Sequence, residues 1–142
     1  MPACTISRSP STSATDRLNN VAVPGALVID LTTSTTASSN LLTTLVLGGK
    51  TQAQRALDAD PTFASIWIGN NDVLGAAVRG VLTPNAAVGS PGVTPVDIFN
   101  QRFDAITNEL LAGAPELEGV LIGVVQVANA PLLFQVAVLL QS

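Results

Sequence analysis

Histidine occurs nowhere in the 142 residues, and cysteine occurs once, at Cys4. The first absence removes the side chain that most often moves protons near neutral pH and the commonest nitrogen ligand of zinc. With one thiol and dispersed carboxylates, no metal site and no cofactor are expected. Cys4 has no internal disulfide partner. It is either an unpaired, solvent-exposed thiol or half of a bridge to a cysteine outside this sequence. Charge is also scarce: 11% of residues are charged, with a net charge of −4. Lys50 and five scattered arginines make up the six basic residues, so no basic stripe exists and nucleic acid is excluded as a partner.

Two kinds of membrane signal are absent as well. Residues Met1 to Asn20 are polar and rich in Ser, Thr and Pro, without the apolar core of a signal peptide. The 24 residues from Gly119 to Ser142 carry no charge, which is long enough to span a bilayer. Gln126, Asn129, Pro131 and Gln135 interrupt that run, and Val124-Val125-Gln126-Val127 favours strand. A buried strand followed by the start of an apolar helix is expected there, with no transmembrane helix.

What remains is a chain of one domain or part of one, 47% hydrophobic and therefore able to build a core. Residues 1–17 read as a loosely held leader. Leu18 to Val23 is a short strand candidate closed by Pro24-Gly25, and a helical stretch is expected from Ala26 to Leu31. The Ser/Thr run Thr32–Asn40 reads as loop, because its side chains compete for backbone hydrogen bonds. Leu41–Leu47 is apolar and stops at Gly48-Gly49.

Thr51 to Asp58 reads as a helix capped by Thr51 and ended before Pro61. A buried strand is expected over Thr62–Ile68 and a long loop over Gly75–Pro95. Thr94-Pro95-Val96-Asp97 then opens the clearest helix, with Thr94 at the cap and Asp97 near the positive end of the dipole. Ile98, Phe99, Phe103, Ile106, Leu110 and Leu111 form its apolar stripe, and Gly113 and Pro115 end it. Gly119–Val127 is expected as a second fully buried strand. Alternating strands and helices imply an α/β fold with a parallel sheet.

The strand Thr62–Ile68 runs into Gly69-Asn70-Asn71-Asp72. In open α/β sheets the carboxyl ends of strands are where ligands bind. An Asn amide held there is a neutral, directional donor suited to stabilising an oxyanion. Ordinary turn and cap chemistry explains the same residues equally well: Asp72 can cap a helix starting at Val73, and Pro24-Gly25 is a routine strand-ending turn. Gly48-Gly49-Lys50-Thr51 echoes the end of a phosphate-binding loop. The required first glycine is Thr44, so that match fails.

Gly69-Asn70-Asn71-Asp72, with Asn20-Val-Ala-Val-Pro-Gly-Ala26 earlier in the chain, resembles two blocks of the SGNH (GDSL-type) ester hydrolases over about residues 18–133. The resemblance implies a flavodoxin-like three-layer α/β sandwich with a parallel sheet, truncated at both ends here. It implies a carboxylic ester hydrolase, lipase or esterase, acting on an ester or lipid-like substrate. Asn71 and the backbone N–H of Gly25 would be the oxyanion donors, with Gly69 and Asp72 in support. It also suggests a secreted or outer-membrane bacterial setting.

The family's Gly-Asp-Ser nucleophile block and Asp-x-x-His block have no counterpart. Ser7, Ser9, Ser11 and Ser13 lack the preceding Gly-Asp, and Gly89-Ser90-Pro91-Gly92 is no nucleophile elbow. Neither nucleophile nor general base is assigned, so the chain alone is expected to be inactive. A non-catalytic α/β binding or interaction module, holding a polar or acyl ligand between the loop Gly75–Pro95 and the amide-rich strand end, is the alternative.

Overall fold

The computed structural model describes residues 17–33, 46–80, 83–84 and 92–125. Cys4, the leader up to residue 16 and the apolar stretches 41–45 and 126–142 lie outside the described residues. The elements run α1 (Asp30–Thr33), α2 (Gln52–Leu57), β1 (Phe63–Trp67), α3 (Asn70–Arg79), α4 (Val96–Gly113) and β2 (Glu118–Ile122). β1 and β2 pair in parallel, from Phe63 opposite Glu118 to Trp67 opposite Ile122. Parallel neighbours need a crossover, here carried by α3 and α4. The chain is therefore a mixed α/β fold built on a parallel pair.

Local chemistry accounts for the helix starts. Thr51 caps α2: its hydroxyl accepts from the Gln54 N–H at 3.2 Å, while Gln54 Oε1 accepts from the Thr51 N–H at 3.1 Å. This reciprocal box satisfies two donors that a helix start leaves unpaired. At the other end Asp58 accepts from Lys50 Nζ at 2.7 Å and Arg55 Nη1 at 3.1 Å. The Lys50 bond foremost, then Arg55, holds the Asp58 carboxyl below its ordinary range. Arg17, last residue of the expected leader, pairs with Asp60 at 2.6 Å, both exposed.

Helices α1, α2 and α4 cover one face of β1. Val28, Ala53, Ile106 and Leu110 form the buried centre, with Ile66 of β1 packed against it. Residues 64 and 66 point to that face because side chains alternate along a strand. Phe63 and Trp67 point the other way and are 62% and 59% exposed, beside Val120 and Ile122 at 45% and 43%.

Several expectations are corrected. β2 is exposed at all five positions rather than fully buried, and β1 alternates between exposed and half-buried. Among the described residues, helices pack against one face of β1 and leave both faces of β2 open: Leu121, paired with Ile66 in the ladder, is 59% exposed. Leu18–Val23 forms no strand: its hydrogen bonds are local, from the Ala22 N–H to Asn20 Oδ1 and from the Ala26 N–H to the Val23 carbonyl, and among the described residues the sheet consists of β1 and β2. The helix expected over 26–31 is displaced to Asp30–Thr33, because turns occupy residues 24–25 and 28–29. The loop expected from Gly75 starts at Gly80: residues 75–79 continue α3, and Gly80 ends it with φ +67°. Within the rest of that loop, Pro84 and Val93 form an isolated parallel bridge.

Replacing Thr51 with Ala should lower unfolding stability by about 1 kcal/mol, the typical worth of such a cap. Ile106→Ala should lower it by about 2–5 kcal/mol through the cavity it leaves at the centre of the core. Urea unfolding followed by circular dichroism checks both values and their order.

Candidate functional site

The site is organised by the sharp turn after β1. Gly69 stands at the N-cap of α3 with φ +106° and ψ −17°. A Cβ there would meet Val124 Cγ2 at 2.7 Å and Phe99 Cε2 at 2.9 Å, so only glycine fits both the backbone and the space. The turn sets Asn70, Asn71 and Asp72 as the first three helical residues. Side chains step about 100° around a helix per residue, so three neighbours reach three different parts of the molecule.

Each of them ties down a separate segment. Asn70 Oδ1 accepts from the Val125 N–H at 3.0 Å, just beyond β2. Asn71 Nδ2 donates to the Ala26 carbonyl at 3.0 Å. Asp72 accepts from the Val28 N–H at 2.9 Å and from the Thr94 hydroxyl at 2.7 Å. The Thr94 N–H returns a bond to the Asp72 carbonyl at 3.2 Å.

These bonds correct two cap assignments. Asp72 does not cap a helix starting at Val73; α3 starts at Asn70 and Asp72 lies inside its first turn. Thr94 does not cap α4, whose N-cap is Pro95 with no side-chain bond. Its hydroxyl is turned to the Asp72 carboxylate instead, because a buried carboxylate needs donors more than an exposed helix start does.

The second block forms the turn at Pro24-Gly25. The Ala26 N–H donates to the Val23 carbonyl at 3.2 Å, and Gly25 has φ +82°. Proline followed by a glycine at positive φ is the pattern of a type II turn. Asp30 steadies the next residue by accepting from the Leu27 N–H at 2.8 Å. Through Ala26, Asn71 therefore lies against the turn that carries Gly25. Gly25 is exposed and Asn71 half-buried, whereas Gly69 and Asp72 are buried. Only the first pair is open to a ligand.

Asp72 is the electrostatic oddity. It is 2% exposed. Burial pushes its carboxyl above the ordinary range; the bonds from Thr94 and Val28 oppose that shift and the charge of Asp30 adds to it. Among the described residues, no group of three His, Cys, Asp or Glu side chains gathers to hold a metal. Thr94 and the Val28 N–H were not legible as partners of Asp72. They lie 22 and 44 residues away, and no local pattern links them.

Comparison with known proteins adds no assignment: no family model, no curated protein and no solved structure matches the chain.

Asp72→Ala should leave the Val28 N–H and the Thr94 hydroxyl buried without their acceptor, lowering stability by about 2–4 kcal/mol. The pH dependence has a definite sign. A carboxyl raised by folding favours the native state most when protonated, and that contribution is lost as pH rises through its folded value. Thermal melts of the natural chain and Asp72→Asn from pH 3 upward should therefore show the natural chain losing ground to the variant as pH increases. A gap that widens in the opposite direction would contradict the buried placement.

Proposed function

We propose that this chain supplies the oxyanion donors of an SGNH-type carboxylic ester hydrolase, with nucleophile and general base contributed from outside this sequence. The observation that supports the reading is the Asn71 amide on the Ala26 carbonyl, which joins the two resembling blocks at one place. In this reading one amide hydrogen of Asn71 fixes the side chain and the other faces the substrate carbonyl oxygen. The Gly25 N–H, on an exposed turn with no Cβ, is the second donor. Preorganised donors of this kind stabilise the developing oxyanion without reorganising in the transition state. The proposal carries with it the three-layer sandwich, whose second helical layer would cover Phe63 and Trp67. The substrate class is an ester with an acyl or lipid-like group.

Chemistry requires more than this chain holds. Serine must lose its proton to attack a carbonyl, and no histidine is present to take it. A second reading, a non-catalytic binding module, draws on the bonds of Asn70 and Asp72. Both side chains are engaged in holding the fold, as turn residues in any α/β domain would be. In that reading the ligand sits at the strand end beside Gly25, since residues 75–79 are helical and unavailable as a binding loop.

The test uses p-nitrophenyl esters and the coding sequence on either side of this chain. The chain alone should give no turnover. The flanking sequence should encode Gly-Asp-Ser before and Asp-x-x-His after it, and the extended protein should hydrolyse the esters. In that protein Asn71→Ala should reduce kcat by about 100- to 1,000-fold, the usual effect of removing one oxyanion donor. Flanks without either block, or an Asn71→Ala enzyme with undiminished kcat, would overturn the hydrolase reading.

A further inference from the structure

A cleft of about 850 Å³ is lined by every residue of β1 and reaches Ile122 at the end of β2. Two continuous stretches of chain, residues 18–23 and 61–68, supply most of its lining. Ala53, Ile106 and Leu110 form its apolar floor, and Asp60 is the only charged residue among the described residues that line it.

The hydrogen-bond register shows what the β1 wall offers. The Thr62 carbonyl accepts from the Glu118 N–H, so residue 62 faces β2. In a parallel ladder alternate residues direct both N–H and C=O to the same side. Residues 62, 64 and 66 therefore bond to β2, and Phe63, Ser65 and Trp67 turn theirs into the cleft. Among the described residues the sheet has no strand on that side. A row of three donors and three acceptors stands above an apolar floor.

The volume matches one strand. Strand geometry allots each residue about 3.3 Å along the strand, about 4.8 Å across and about 10 Å through the layers, roughly 160 Å³ in all. The cleft volume then corresponds to roughly five residues on that same geometry, the length of β1. Volume and lining agree.

We propose that this cleft is a strand-acceptor site, taking an extended, uncharged, mainly apolar segment of about five residues from a partner polypeptide by β-augmentation. The segment pairs with Phe63, Ser65 and Trp67 and lays alternate side chains on Ala53, Ile106 and Leu110. The low charge of the lining selects against acidic or basic segments. The proposal goes beyond the hydrolase reading and does not depend on it.

The probe is a synthetic peptide, acetyl-Lys-Val-Ile-Val-Val-Val-Lys-amide, compared with the same peptide carrying proline at its central position. Amide hydrogen exchange of the whole chain is followed by NMR. With the valine peptide, protection at Phe63, Ser65 and Trp67 should rise about tenfold more than at Ala64 and Ile66, which β2 already protects. The proline peptide should produce no such difference. Ser65→Pro, which removes a cleft-facing N–H and leaves the β2 ladder intact, should weaken peptide binding at least about tenfold. If that variant fails to fold, exchange in the natural chain still decides.

Equal rises at all five amides, or no rise at millimolar peptide, would overturn the proposal. Protection already present without peptide would also overturn it. If that protection grows with protein concentration the occupant is a second copy; if it does not, the chain fills its own cleft. None of these outcomes bears on ester hydrolysis, so the two readings fail separately.

Discussion

The carboxylate of Asp72 holds the described structure together. It is buried, raised in pKa by that burial, and joined to the Val28 N–H and the Thr94 hydroxyl. Those two partners lie in segments that no helix or strand links to α3. A buried carboxylate without donors would be costly, so the fold that forms is one that brings both segments to it. Asn70 and Asn71 extend the arrangement to Val125 and Ala26. One helical turn therefore anchors the end of β2, the Pro24-Gly25 turn, the start of the core at Val28 and the approach to α4.

That arrangement also explains why Gly25, Gly69, Asn71 and Asp72 are divided in accessibility. Gly69 and Asp72 are enclosed by the elements they position, while Asn71 and Gly25 are left at the surface. A side chain that must meet a substrate has to be held by something that does not. The hydrogen bond from Asn71 to Ala26 orients the amide, and preorganisation of that kind is what an oxyanion donor requires. The same geometry serves a purely structural turn, which is why the functional reading rests on chemistry added from outside the chain.

Sheet exposure is the second theme. Phe63 and Trp67 are largely uncovered, and among the described residues one edge of β1 has no paired strand. Parallel sheets are normally covered on both faces. An open edge and a bare apolar face beside a strand-sized cleft mark the places where this domain is chemically unsatisfied.

Much of the local structure was legible in the residues. The capping box at Thr51 and Gln54, the stop at Gly48-Gly49, the strand before Gly69 and the stripe of α4 follow from periodicity and short-range bonding, which the sequence carries directly. Burial of the strands was not legible, because an apolar strand reads alike whether its face is covered or bare. Nor were the destinations of Thr94 and Asp72: each suits a helix cap locally, and only packing revealed a better partner. The sequence by itself determined the Thr51 cap, the Pro24-Gly25 turn, the two strands that pair and the stripe of α4. Tertiary structure decided which of their polar groups meet, since a buried charge takes its donors from wherever the packed chain brings them, at any separation along it.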